Sequence, residues 1–130
     1  MIDRRQALAA ALALVALPAR AHGPTPQKLA ETIRIAAPPE DVWKLVGDFA
    51  LVSLWHPAVS AARVTNGNAT GSERDIELEK GELRESLDEH DAGAMMIAWR
   101  LAKENVEVLP VSFYSASMQV KPADGGCDVE

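Results

Sequence analysis

The chain has almost nothing with which to staple itself: one cysteine, Cys127, among 130 residues. A single thiol forms no intrachain disulfide, so the fold must rest on its core. No Cys or His cluster has zinc-ligand spacing, and no Gly-rich loop is built to cradle phosphate, so neither a metal nor a cofactor is expected. Aromatics are scarce, with one Tyr, two Phe and three Trp, so each marks a position whose place matters. Basic residues are the minority sign, 13 Lys and Arg against 19 Asp and Glu, for a formal charge of −6. That deficit argues against nucleic acid and anionic lipid headgroups, and it permits steering toward a basic partner protein. Long apolar runs are missing too: the longest, 7–17, is too short to span a bilayer.

That run is nevertheless informative. Arg4 and Arg5 precede it, and the small-x-small site Ala19-Arg20-Ala21 follows it, the three-part pattern of a secretory signal peptide. The arginine pair fits ordinary export and twin-arginine export alike. The expectation is cleavage after Ala21, a periplasmic destination and no membrane span in the mature form, with 22–130 as one domain. The leader holds three of the 13 basic and one of the 19 acidic residues, so the remainder carries 10 against 18, or −8. Cleavage would make His22 a terminal amine plus imidazole, a copper-chelating pair if His56 or His90 came close, although its proline-rich setting disfavours a fixed metal geometry.

Beyond an irregular 22–26, the hydrophobic period changes several times. Leu29, Ile33 and Ile35 fall on one face of an extended segment, a strand. Pro38 and Pro39 suit a helix start, and Glu40 and Asp41 suit the positive end of its dipole. Val42, Trp43, Leu45, Val46 and Phe49 then form one helical stripe. Leu51, Leu54 and Trp55 keep helical spacing in a second short piece that Pro57 ends. After it the period falls to two, with strands expected over 59–65, 72–78, 82–88, 94–101, 111–121 and 127–130. Short turns separate them, 122–126 among these. Sequential strands joined this way pair with their neighbours, giving a curved antiparallel sheet with an apolar concave face.

The run IRIAAPPEDVWKLVGDFALVSLWHPAV, with the later RESLDEHD and LPVSFYSASMQVKP, resembles the START-like superfamily of polyketide cyclases, dehydrases and lipid-transfer proteins, abbreviated SRPBCC. Together with the signal peptide and the HGPTPQ start, LPVSFYS resembles its periplasmic MxaD type, linked to methanol oxidation. The resemblance implies an α+β helix-grip fold: a curved antiparallel sheet, two short helices after strand 1, and a long C-terminal helix closing an apolar cavity. No such helix follows Cys127, so 22–130 reads as a START-like domain truncated at its C-terminus, with its concave face open.

Six residues are candidates for a ligand pocket: Trp55, His56, Arg74, Glu85, Tyr114 and Met118. Trp55 would plug one end of the cavity, with Pro57 fixing the corner. His56 titrates near neutrality and would be an acid or base with a partner, or a local hydrogen-bonding group without one. Arg74 beside Ile76, and Glu85 between Leu83 and Leu87, fall on inward strand faces. Two buried charges are costly unless paired, so they read as a cross-strand ion pair, or as a polar anchor for a ligand oxygen. Tyr114 aligns with Met118 and Val120 and would add a hydroxyl to the cavity or simply pack. Met95, Met96 and Met118 are adaptable wall or core material. The acidic run of Glu79, Glu82, Glu85, Asp88, Glu89 and Asp91 reads mostly as solvated strand and turn, with docking of a basic protein as its functional alternative.

These residues hold no complete catalytic set. The leading expectation is a periplasmic protein that binds a hydrophobic small molecule or acts as an accessory factor in the MxaD manner. The alternatives are a cyclase- or dehydratase-like enzyme using His56, Glu85 or Tyr114, and an acidic protein-interaction module.

Overall fold

Pro38 and Pro39 set the first helix. A computed structural model describes residues 27–130; the expected signal segment 1–21, its expected cleavage site and His22 lie outside them. Helix α1 (Pro39–Val46) begins on the preset φ of its first proline, with Glu40 and Asp41 in its first turn. It stops at Gly47, whose N–H donates to the Trp43 carbonyl at 2.8 Å. The Asp48 side chain then accepts from Ala50 N–H at 3.0 Å, capping a 3₁₀ turn (Phe49–Leu51) that runs into α2 (Val52–Trp55). As expected of a residue before proline, His56 is extended and ends α2.

The 3₁₀ turn corrects one expectation. Its tighter three-residue period carries Phe49, Val52 and Trp55 inward, at 0%, 2% and 3% exposure, and leaves Leu54 exposed and Leu51 half-buried. Of the expected apolar positions Leu51, Leu54 and Trp55, only Trp55 is buried.

Seven strands follow the order β1-β7-β6-β5-β4-β3-β2, every neighbouring pair antiparallel. They are β1 (Ile33–Ile35), β2 (Ala61–Val64), β3 (Glu73–Leu78), β4 (Gly81–Asp91), β5 (Met96–Lys103), β6 (Ser115–Ala123) and β7 (Gly126–Val129). β2 through β7 is the expected meander, and β1 closes onto β7. Leu29 lies before β1 and is exposed, so that strand is shorter than its alternation implied. Two register shifts in the β4–β5 pairing, at Arg84/Glu85 and Leu87/Glu89, bend the sheet.

Pro122 sits within β6 rather than in a loop. β5 pairs with β6 only from Ser115 to Gln119, so the proline lies beyond that partner, where a missing N–H breaks no ladder. The turn shrinks to Asp124-Gly125, with Gly125 at a φ of +79°.

Phe49, Val42, Val46, Leu87, Ile97, Cys127 and Val129 fill the core, and α1 packs on β6. The result is the curved antiparallel sheet with two short helices of the helix-grip fold. Among the described residues α1 is the longest helix, at eight residues, and none is long and apolar enough to cross a membrane.

Candidate functional site

β3 and β4 bring Arg74 directly opposite Glu85. Both are buried, at 3% and 4% exposure. Arg74 Nε donates to Glu85 Oε1 at 2.8 Å, and Nη2 lies 2.7 Å from the same oxygen. Nη1 donates to the Phe49 carbonyl at 3.0 Å, tying the sheet to the 3₁₀ turn. The guanidinium carbon lies 4.1 Å from the Phe49 ring centroid and 5.1 Å from that of Trp99, a cation–π arrangement that helps replace lost hydration. Glu85 Oε2 accepts from the Tyr114 hydroxyl. Arg74, Glu85 and Tyr114 thus form one chain of partners from three parts of the sequence.

This cluster borders a cavity of about 150 Å³. Val52, Val59, Ile76, Leu83, Trp99 and Leu109 supply most of its apolar wall, and Trp55, His56, Arg74, Glu85 and Tyr114 also line it. Five of the six expected residues therefore meet at one space. Met118 does not: it is buried farther along β6, the strand on which α1 packs, and serves the core.

The electrostatics follow from burial. The Tyr114 hydroxyl titrates far above its usual range, chiefly because it is desolvated, then because Glu85 is negative and accepts its proton in a hydrogen bond. His56 is shifted downward, again chiefly by burial; nearby Arg74 adds to the shift and Glu85 opposes it. His56 Nδ1 accepts from Ala58 N–H at 3.1 Å, which holds the corner before β2. Of the expected roles at the Trp55-His56-Pro57 corner, the local hydrogen bond of His56 is the one this contact supplies, and His56 also lines the cavity. Trp55 Nε1 is, among the described residues, the one buried side-chain nitrogen or oxygen lacking a hydrogen-bond partner.

Chemically, the wall presents few free bases. Both Glu85 oxygens are engaged and His56 Nδ1 is occupied. No group of three or more potential metal ligands occurs among the described residues. Of the acidic run, Glu82 pairs with Arg63 at 2.5 Å and Asp88 with Arg100 at 3.0 Å, so part of that face is answered by the chain's own arginines. His90 turns elsewhere: its Nε2 meets the Gly47 carbonyl at 2.7 Å beside Trp43.

Trp99, Phe49 and Leu109 were not anticipated as site residues. Trp99 had a signal, since it alternates with Ile97 and Leu101 on the buried face of β5. Phe49 read as the end of a helical stripe, and Leu109 lies in an irregular segment without periodicity.

The family profile described as polyketide cyclase / dehydrase and lipid transport matches residues 26–130. A solution structure from Thermobifida fusca is 33% identical, with a TM-score of 0.65 over 76% of this chain and 66% of that one. The protein XoxI from Bacillus cereus is 22% identical, with a TM-score of 0.64 over 76% and 66%. Norcoclaurine synthase from Thalictrum flavum is 16% identical, with a TM-score of 0.59 over 76% and 62%. The last two likenesses are of fold alone. The part of the chain that aligns covers about two thirds of each of these structures. No curated protein matches the sequence.

Proposed function

The chain belongs to the polyketide cyclase/dehydrase and lipid-transport family, and from that premise we propose that it binds a small, mainly apolar molecule in the cavity between α2 and strands β3 to β6. One observation carries this reading: an apolar-walled space of about 150 Å³ into which a few polar side chains converge. Ligand sites are built this way, with hydrophobic walls for affinity and a few polar groups for orientation. The volume matches a single aromatic ring, since an apolar cavity of about 150 Å³ accepts benzene.

The test is fluorine NMR of fluorobenzene with the purified protein and with Ala116→Phe, which fills the cavity from β6. Binding should broaden the signal of the wild type and leave that of the variant sharp. Equal broadening in both would refute the site.

The leader 1–21 supports a periplasmic place of action, and the HGPTPQ and LPVSFYS stretches support an accessory role in methanol oxidation of the MxaD kind, with a basic protein as partner. Cell fractionation tests the first, and growth of a deletion strain on methanol tests the second. Recovery in the cytoplasm, or unchanged growth, would oppose them.

A further inference from the structure

The asparagines of the chain are Asn66, Asn68 and Asn105, and the fold treats them unequally. Asn105 commits both ends of its side-chain amide: Nδ2 donates to the Glu82 carbonyl at 3.3 Å and Oδ1 accepts from Glu107 N–H at 3.3 Å. Asn68 Oδ1 accepts from Phe49 N–H at 2.8 Å. The Asn66 side chain is exposed and has no hydrogen-bond partner among the described residues. Its backbone is fixed instead, with its N–H donating to Ser72 Oγ at 3.1 Å and its carbonyl accepting from Ala69 N–H at 3.2 Å. Gly67 follows, exposed, at a φ of +55°, with open space where a Cβ would stand. Its N–H also lacks a partner among the described residues. Asn68 and Asn105 precede Ala69 and Val106, whose Cβ atoms crowd the following amide.

Asn66 therefore places an amide carbon that is free to turn next to an uncommitted and unshielded nitrogen. We infer that Asn66-Gly67 is a self-modification site, at which the folded protein deamidates, and that the rearranged product releases this turn from Phe49. The Gly67 nitrogen loses its proton to solvent and bonds to Asn66 Cγ. The Cγ–Nδ2 bond breaks, and the side-chain nitrogen takes up a proton and departs as ammonia, leaving a cyclic imide. Water opens the imide at Cγ to give aspartate, or at the former main-chain carbonyl to give isoaspartate, in which the chain runs through Cβ and Cγ and is one carbon longer.

The two products differ in reach. Aspartate keeps the main-chain carbonyl that Ala69 N–H uses. Isoaspartate turns that carbonyl into a free carboxylate branching from a lengthened turn. Asn68 lies inside the turn and holds Phe49 N–H, while the Phe49 carbonyl holds Arg74 Nη1 at 3.0 Å. The longer chain draws Asn68 away from Phe49.

The test is to age the purified full chain in heavy-oxygen water at mildly alkaline pH, folded and in urea, and to locate amide loss by fragment-ion mass mapping. Asn66 should exchange its amide for one heavy oxygen in the folded protein at a rate within about tenfold of that in urea, because an exposed turn reacts without unfolding. An Asn66 amide that survives in the folded protein while urea releases it overturns the site, as does equal loss at Asn68 or Asn105. The aspartyl and isoaspartyl forms are then separated and compared by hydrogen exchange. The Phe49 amide should exchange about five- to tenfold faster in the isoaspartyl form, the worth of one hydrogen bond. Aspartate as the sole product, or equal protection of Phe49 in both forms, overturns the release of the turn.

Discussion

Arg74 and Glu85 occupy opposing positions in the β3–β4 register, and their buried side chains meet at 2.8 Å inside an apolar wall. The pair is surrounded by partners that satisfy it: a backbone carbonyl, two aromatic faces and a phenol. Its main contribution is to fix the geometry of the cavity, because taking two charges out of water offsets much of their attraction.

Removing one partner should therefore hurt more than removing both. Glu85→Ala strands a buried guanidinium and should cost about 3–5 kcal/mol in urea unfolding, whereas Arg74→Met with Glu85→Leu should recover most of that loss. A double variant as unstable as the single one would show that the pair stabilises through more than mutual compensation.

Tyr114 is the only tyrosine in the chain, so alkaline difference spectroscopy reads it alone. With its hydroxyl buried and donating to Glu85, it should stay protonated well above pH ~10, where free tyrosine ionises. Tyrosinate absorbance should appear only together with unfolding. Ionisation near the ordinary value, in folded protein, would mean that the hydroxyl is solvated.

The downward shift of His56 gives a sign for acid sensitivity. The unfolded imidazole takes up its proton near pH ~6.5, and the folded one resists until lower pH. Between those values the unfolded state binds more protons, so stability falls as pH falls. The loss should begin just below pH ~6.5 in urea midpoints, and His56→Asn should flatten that part of the profile. An unchanged slope in the variant would assign the acid sensitivity to other groups.

Much of this site was legible because strand alternation is a strong signal. Arg74 beside Ile76, and Glu85 between Leu83 and Leu87, announced inward charges that needed each other, and the register makes them partners. Tyr114 was reached through its alignment with Met118, yet only Tyr114 borders the cavity, since parity gives the face of a strand and not the distance along it. The face of α2 was misread because a 3₁₀ turn changed the period at Phe49. Pro122 misled for a related reason: a proline signals a turn unless tertiary pairing leaves its strand an open flank, which no local pattern reveals.

Adjacent glycines where the β6–β7 turn meets β7 should respond differently to alanine, for separate physical reasons. Gly125 has a φ of +79° and open space around it, so Gly125→Ala meets only backbone strain, about 1 kcal/mol. A Cβ on Gly126 would lie 2.0 Å from the Ile35 carbonyl oxygen, and backbone has no rotamer by which to yield. Gly126→Ala must therefore push β1 from β7, breaking the Ile33–Val129 and Ile35–Cys127 pairings that hold a three-residue strand. Hydrogen exchange should show β1 amides losing protection in Gly126→Ala while β4 and β5 keep theirs. Protection of β1 retained in that variant would mean that the sheet closes with more room than the contact at Gly126 allows.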